Sequence, residues 1–106
     1  MNSLKIKKDI IKYAKLFNTT NLSPLRSGNI SVRYKNGFFI TPTGKKYHQL
    51  KSGDIVFVTL KGSHKKEHLP SSEWRFHRDI YKEKKDSGSI VHCHSHNALI
   101  LSLIHI

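Results

Sequence analysis

The run Ser89-Ile90-Val91-His92-Cys93-His94-Ser95-His96 sets β-branched residues before a histidine at every second position. A helix would scatter those three rings around its axis. A strand alternates its side chains with period two and puts all three on one face. The run therefore predicts a strand, and a strand needs a sheet to satisfy its backbone groups. Neutral imidazole is the commonest protein ligand for divalent transition metals, so His92, His94 and His96 are candidate ligands. Two of them at i and i+2 make half of a zinc site. Cys93 points to the opposite face and reads as a small buried hydrophobe. It is the only cysteine, which excludes an intramolecular disulfide and fits a reducing compartment.

The chain before the histidines supplies the elements such a sheet requires. Ile6, Ile10, Ile11, Ala14 and Phe17 recur at helical spacing, predicting an amphipathic helix over 4–17. Thr19 to Pro24 is turn-forming. Ile30 to Tyr34 alternates as a strand, Asn36-Gly37 is a hairpin turn signal, and Phe38 to Thr41 is the returning strand. Thr41-Pro42-Thr43-Gly44 turns again, Asp54 to Leu60 predicts a further strand, and Lys61-Gly62-Ser63 closes it. Pro70-Ser71-Ser72 starts a second helix running to about Lys85, with Ser71 or Ser72 as N-cap and Glu73 in the first turn. Asp86 to Ser89 hands over to the histidine strand, and Asn97 to Leu103 predicts another helix. Leu99 to Ile106 is strongly apolar and carries no cap, Gly, Pro or polar tail. That pattern predicts a chain cut short inside a larger fold, because an apolar end is otherwise a liability. With no repeat or linker in 106 residues, one domain is expected.

The chain carries 19 Lys+Arg against 7 Asp+Glu, a net charge of +12 with histidine neutral. Such a balance suits an anionic partner, and a lysine-rich solvated surface accounts for it equally well. No helix-turn-helix spacing, zinc-finger spacing or aromatic platform is present, so nucleic acid is not the expected partner. No apolar run is long enough to span a membrane, and the N-terminus lacks a signal-peptide pattern. A cytoplasmic protein is expected.

Two constellations carry chemistry. Glu73 and His77 are four apart and share a helix face. If that helix begins near the histidine strand, Glu73 can meet His92 and His94; two histidines, a glutamate and an open position form a catalytic zinc arrangement. His77 more often packs a helix than binds a metal. Separately, Ser27-Gly28-Asn29, Thr43-Gly44 and Ser71-Ser72 each place small polar or glycine residues at a turn. Backbone N–H groups in such turns form anion nests, and three turns together could hold a phosphate, although each alone is an ordinary turn.

In order along the chain, Gly28-Asn29-Ile30-Ser31-Val32-Arg33-Tyr34, Ile40-Thr41-Pro42-Thr43-Gly44, Asp54-Ile55-Val56-Phe57, Leu69-Pro70-Ser71-Ser72-Glu73-Trp74-Arg75-Phe76-His77 and Val91-His92-Cys93-His94-Ser95 resemble the class II aldolase/adducin family. The resemblance implies an α/β fold, three-layer α/β/α with a mainly antiparallel central sheet, incomplete here. Residues 1–106 would be the family's N-terminal domain, truncated at its C-terminus. It implies a lyase of carbohydrate metabolism, an aldolase that cleaves a ketose 1-phosphate such as fuculose 1-phosphate to dihydroxyacetone phosphate and an aldehyde. It implies one Zn2+ per subunit, with Glu73, His92 and His94 as ligands. Glu73 would also be the catalytic acid/base. Gly28, Asn29, Thr43, Gly44, Ser71 and Ser72 would bind the substrate phosphate. His77 and His96 match no catalytic position. The family is homotetrameric and its members are longer; a third zinc histidine, a tyrosine and C-terminal groups come from beyond this chain, so weak or absent turnover is expected. A related sugar-phosphate epimerase or dehydratase, and a non-catalytic interaction module, are the alternatives.

Overall fold

Alternation along the strands divides the apolar side chains into two sets, and each set meets a different helix. The computed structural model describes residues 2–19, 28–92 and 98–101. Strands β1 (Asn29–Tyr34), β2 (Gly37–Ile40), β3 (Val56–Thr59), β4 (Ser89–His92) and β5 (Ala98–Leu101) form one sheet in the order β3-β2-β1-β4-β5. Every neighbouring pair is antiparallel. Ile30, Val32, Phe39 and Val91 face one side and pack with Ile6, Ile10 and Ala14 of helix α1 (Ser3–Thr19). Phe38, Ile40, Val56, Val58 and Ile90 face the other and enclose Tyr81 of helix α2 (Trp74–Glu83). The result is the expected α/β/α layering, with a wholly antiparallel sheet among the described residues.

Helix α1 covers the predicted stretch, and Asn2 Oδ1 accepts the Lys5 N–H at 2.8 Å at its start. The β1–β2 hairpin forms as expected, but its two turn residues are Lys35 and Asn36 rather than Asn36 and Gly37. Lys35 takes the left-handed conformation, φ 51°. Gly37 already belongs to β2, opposite Tyr34. Its lack of a side chain serves the sheet instead of the turn: an added Cβ would strike the Val58 carbonyl oxygen and sit 2.9 Å from Thr59 Cα on β3.

Three other boundaries differ from the sequence expectation. Strand β3 begins at Val56, because Ser52–Asp54 forms a 3-10 turn. There Asp54 Oδ2 accepts the Lys51 N–H at 2.9 Å and Oδ1 accepts from Lys45 Nζ at 2.8 Å. A side chain that satisfies nearby donors favours a turn over a ladder. Helix α2 begins at Trp74, with Glu73 rather than Ser71 or Ser72 at the cap position. Leu69 to Ser71 is held extended against the chain after β2: Ser71 N–H donates to Thr41 O at 2.9 Å and Thr43 N–H to Leu69 O at 3.1 Å. Finally, Ala98–Leu101 is a strand paired with β4 rather than the start of a helix. A short apolar run lacks the periodicity to separate the two, and the open edge of β4 offers it a ladder. Cys93, His94 and His96, like Ser27 and the stretch around Pro24, lie outside the described residues.

Candidate active site

The site is built where three turns converge at one end of β1. Gly28 leads into the strand, and its carbonyl accepts the Tyr47 hydroxyl hydrogen. Thr41 continues the β1–β2 pairing, its N–H donating to Ile30 O at 3.1 Å. The backbone bridge between Pro42 and Pro70 then ties the loop after β2 to the segment that precedes α2. Gly44 adopts φ 75°, a left-handed conformation that favours glycine. These constraints bring Gly28, Asn29, Thr43, Gly44, Ser71 and Ser72 to one recess of about 120 Å³. Lys45, Tyr47 and Glu73 also line it. A larger recess of about 440 Å³, lined by Lys7, Phe39, Phe57 and Lys65 among others, shares no residue with this one.

The six residues singled out in the sequence for an anion therefore share a wall, although Thr43 lies 14 positions after Asn29 and Ser71 lies 27 positions after Gly44. Lys45 and Tyr47 were not singled out; a cation directly after Thr43-Gly44 was the available signal. Lys45 is held by Asp54, and the Lys45 hydrogen bond keeps the Asp54 carboxyl below the usual carboxylate range. The recess thus has turn and hydroxyl donors in its wall, with Lys45 beside them paired to Asp54, an arrangement suited to an anion.

Glu73 connects the recess to β4. At the cap position of α2 its side chain reaches His92 at the end of β4, with Glu73 Oε2 3.3 Å from His92 Nδ1. The His92 ring lies against Phe76, centroids 4.8 Å apart. Its Nδ1 is buried and has no hydrogen bond among the described residues; the Glu73 oxygen is within ion-pair range without hydrogen-bond geometry. A buried, unsatisfied imidazole nitrogen facing a carboxylate is an incomplete donor set. Among the described residues no group of three or more His, Cys, Asp and Glu comes together. His94 lies outside them, so the structure brings together two of the three expected ligands.

His77 plays no part in that pair. It is fully buried, its Nε2 bonded to Asn29 Oδ1 and its Nδ1 2.6 Å from Ser31 Oγ. Burial first, and the nearby His92 second, push its pKa down to about 3. Ser31 Oγ is also 2.7 Å from the Tyr81 hydroxyl, which burial pushes well above the usual tyrosine range.

The arrangement can hold an anion beside a carboxylate and an imidazole. Residues 8–106 match the class II aldolase and adducin N-terminal domain. The chain is 39% identical over 104 residues to an L-fuculose phosphate aldolase of Haemophilus influenzae, covering 98% of this chain and 48% of that protein. It is 37% identical over 101 residues to a 5-methylthioribulose-1-phosphate/5-deoxyribulose-1-phosphate aldolase of Rhodospirillum rubrum, covering 95% and 46%. A solved L-fuculose 1-phosphate aldolase superposes with a TM-score of 0.79 at 36% identity, covering 84% of this chain and 43% of that one. The chain spans about half the length of the curated relatives it matches. No helix among the described residues is long and apolar enough to cross a membrane. With a family match over nearly its whole length, a fold shared with a solved aldolase and the sequence blocks in order along the chain, this protein belongs to the class II aldolase and adducin family.

Proposed function

We propose that this chain supplies the metal- and phosphate-holding groups of a zinc-dependent aldolase that cleaves a ketose 1-phosphate, such as fuculose 1-phosphate, to dihydroxyacetone phosphate and an aldehyde. The observation that carries the reading is the meeting in one recess of two glycines and four small polar residues from three turns with Glu73, whose carboxylate lies 3.3 Å from His92 Nδ1. Relatives whose names specify fuculose phosphate and methylthioribulose phosphate support the substrate class.

The unsatisfied His92 nitrogen and the adjacent carboxylate fit a borderline divalent metal, and Glu73, His92 and His94 would hold it. A bound zinc would supply Lewis-acid polarisation of the substrate's oxygens. The chain's own residues do the rest. The hydroxyls of Thr43, Ser71 and Ser72, the side-chain amide of Asn29 and the backbone N–H groups of Gly28, Gly44 and Ser72 grip the phosphate, with Lys45 adding positive charge. That grip is remote from the bond that breaks, so it orients the substrate and contributes to lowering the barrier. Glu73 Oε2 accepts the proton of the hydroxyl on the departing aldehyde carbon. The electron pair of the broken carbon–carbon bond stays on the three-carbon fragment, which Glu73 then protonates. The family's homotetramer belongs to the same reading and is measurable by sedimentation.

A second reading is that the chain holds metal and phosphate without turnover. Both are tested with purified chain, zinc and fuculose 1-phosphate, and with 5-deoxyribulose 1-phosphate as a second substrate. Dihydroxyacetone phosphate released by the wild type and not by Glu73→Gln establishes the aldolase. Zinc and phosphate bound without product establishes the non-catalytic reading. Zinc affinity unchanged in both His92→Ala and His94→Ala overturns the ligand set; a loss greater than the about 10- to 100-fold typical of outer-shell partners is expected.

A further inference from the structure

Four polar side chains stand in single file between β1 and α2, from the packed interior to the recess. Tyr81 hydroxyl lies 2.7 Å from Ser31 Oγ, Ser31 Oγ 2.6 Å from His77 Nδ1, and His77 Nε2 is bonded to Asn29 Oδ1. Tyr81, Ser31 and His77 are fully buried, and Asn29 is 5% exposed at the wall of the recess. Donor and acceptor accounting gives the file a direction. An amide oxygen only accepts, so His77 must carry its proton on Nε2. Its Nδ1 is then a bare acceptor for the Ser31 O–H, and the Ser31 oxygen in turn accepts the Tyr81 O–H. The reverse direction would flip the Asn29 amide, move the His77 proton to Nδ1 and turn the Ser31 O–H toward Tyr81. The Tyr81 hydrogen would then point among Phe38, Ile40, Val58 and Ile90, where the described residues give it no acceptor other than Ser31. A buried donor left unpaired is disfavoured, so the first direction prevails.

We infer that His77 is a positioning residue for the anion recess: through its Nε2–H, set by Ser31 and Tyr81, it holds the Asn29 amide oxygen inward and leaves the amide N–H groups for the phosphate. This rests on the phosphate reading of the recess. His77 itself contacts no substrate. Its burial keeps the ring neutral, which preserves one bare and one protonated nitrogen. Ser31 matters equally, because without its O–H the His77 Nδ1 is unpaired in either tautomer and the preference for Nε2–H is lost. Asn29 is then free to flip and turn its oxygen, a poor neighbour for phosphate, into the recess.

The test titrates inorganic phosphate into the purified chain and its variants. Ser31→Ala and His77→Phe, neither of which alters the recess wall, are expected to weaken phosphate binding about tenfold or more, the scale of a lost hydrogen bond to a charged group. His77→Gln can donate to Asn29 and accept from Ser31, and should bind phosphate more tightly than His77→Phe. Long-range proton–nitrogen NMR of the His77 ring gives a second readout that a packing role would not move. The wild type should show the Nε2–H tautomer, and Ser31→Ala should shift it toward Nδ1–H. A wild-type Nδ1–H tautomer overturns the inference, as does phosphate affinity unchanged in Ser31→Ala, or equal in His77→Gln and His77→Phe. If the wild type binds no phosphate, the reading of the recess fails first, and the tautomer still decides the direction of the file. Should His77→Phe not fold, Ser31→Ala and the tautomer carry the test.

Discussion

Acidification should destabilise this protein through His77. In the unfolded chain the imidazole has its ordinary pKa of 6.5, and in the native state the pKa is about 3. The first cause is burial: the ring is fully enclosed and stacks on Phe38, centroids 6.5 Å apart. The second is the nearby His92. The groups bonded to the ring are Asn29 and Ser31 from β1, with Tyr81 of its own helix behind Ser31, and none carries a compensating negative charge. The native pKa is depressed, so the contribution is fully present above pH 6.5 and is lost as pH falls toward 3. Between those limits the unfolded chain binds one more proton than the native one, and stability falls by about 1.4 kcal/mol per pH unit. At pH 5, 1.5 units below the unfolded value, the loss is about 2 kcal/mol, a large share of the ~5–15 kcal/mol typical of a domain. Urea denaturation of the wild type and His77→Gln at pH 7, 6 and 5 isolates this term. The difference between the two proteins should move by about 2 kcal/mol across the series, the wild type losing more, because glutamine does not titrate. Parallel pH profiles would refute the reasoning, since a ring that stays accessible to protons in the native state has no such linkage.

Gly37→Ala should cost on the order of 2–3 kcal/mol in denaturant melts, because its Cβ would collide with β3 backbone that cannot move without breaking the sheet. Ile10→Ala, at a fully buried position of α1, should cost about 2–4 kcal/mol, whereas Leu4→Ala, at a half-exposed position of the same helix, should change stability by less than about 0.5 kcal/mol. Arg33→Met should cost about 2 kcal/mol by the same assay, since it removes the bonds from Arg33 to the carbonyls of Ser87, Tyr81 and Lys84 at the end of α2.

What the sequence disclosed follows the physics of each signal. The period-3.6 pattern of Ile6, Ile10 and Ala14 and the period-2 pattern of β1 both survive in the fold, because burial against a layer enforces them. Turn chemistry was less legible. Asn36-Gly37 resembles a hairpin turn, yet Gly37 is needed for close approach to β3, a tertiary requirement that local sequence does not announce. Ser71 and Ser72 resemble caps, but the pairing of Ser71 with Thr41 holds that segment extended and delays the helix to Trp74. The apolar run at Ala98–Leu101 had no period to read, and its pairing with β4 decided it. At the site, the three small-residue turns were visible one by one, while their convergence depends on the Pro42–Pro70 bridge. His77 packs inside the fold, as its place on a helix suggests. Its bond to Asn29 was invisible because 48 residues separate the two.

The face of the sheet toward α2 divides along the strands, and the division explains how a small domain can carry a polar site beside its core. Phe38, Ile40, Val58 and Ile90 form the apolar part around the Tyr81 ring. Asn29, Ser31 and His77 form the polar part next to it, and His92 and Glu73 follow at the end of β4 and the start of α2. Tyr81 belongs to both, its ring in the apolar cluster and its hydroxyl on Ser31. A buried polar group is tolerated when it is paired, and every member of that file has a partner. Among the described residues His92 Nδ1 has no hydrogen-bond partner and breaks the pattern at its outer end, beside Glu73 of the recess wall. Satisfaction inside and a deficit at the edge agree with the proposed ligand site: the interior groups hold their orientation without a ligand, and under that proposal the outer nitrogen would gain a partner on binding.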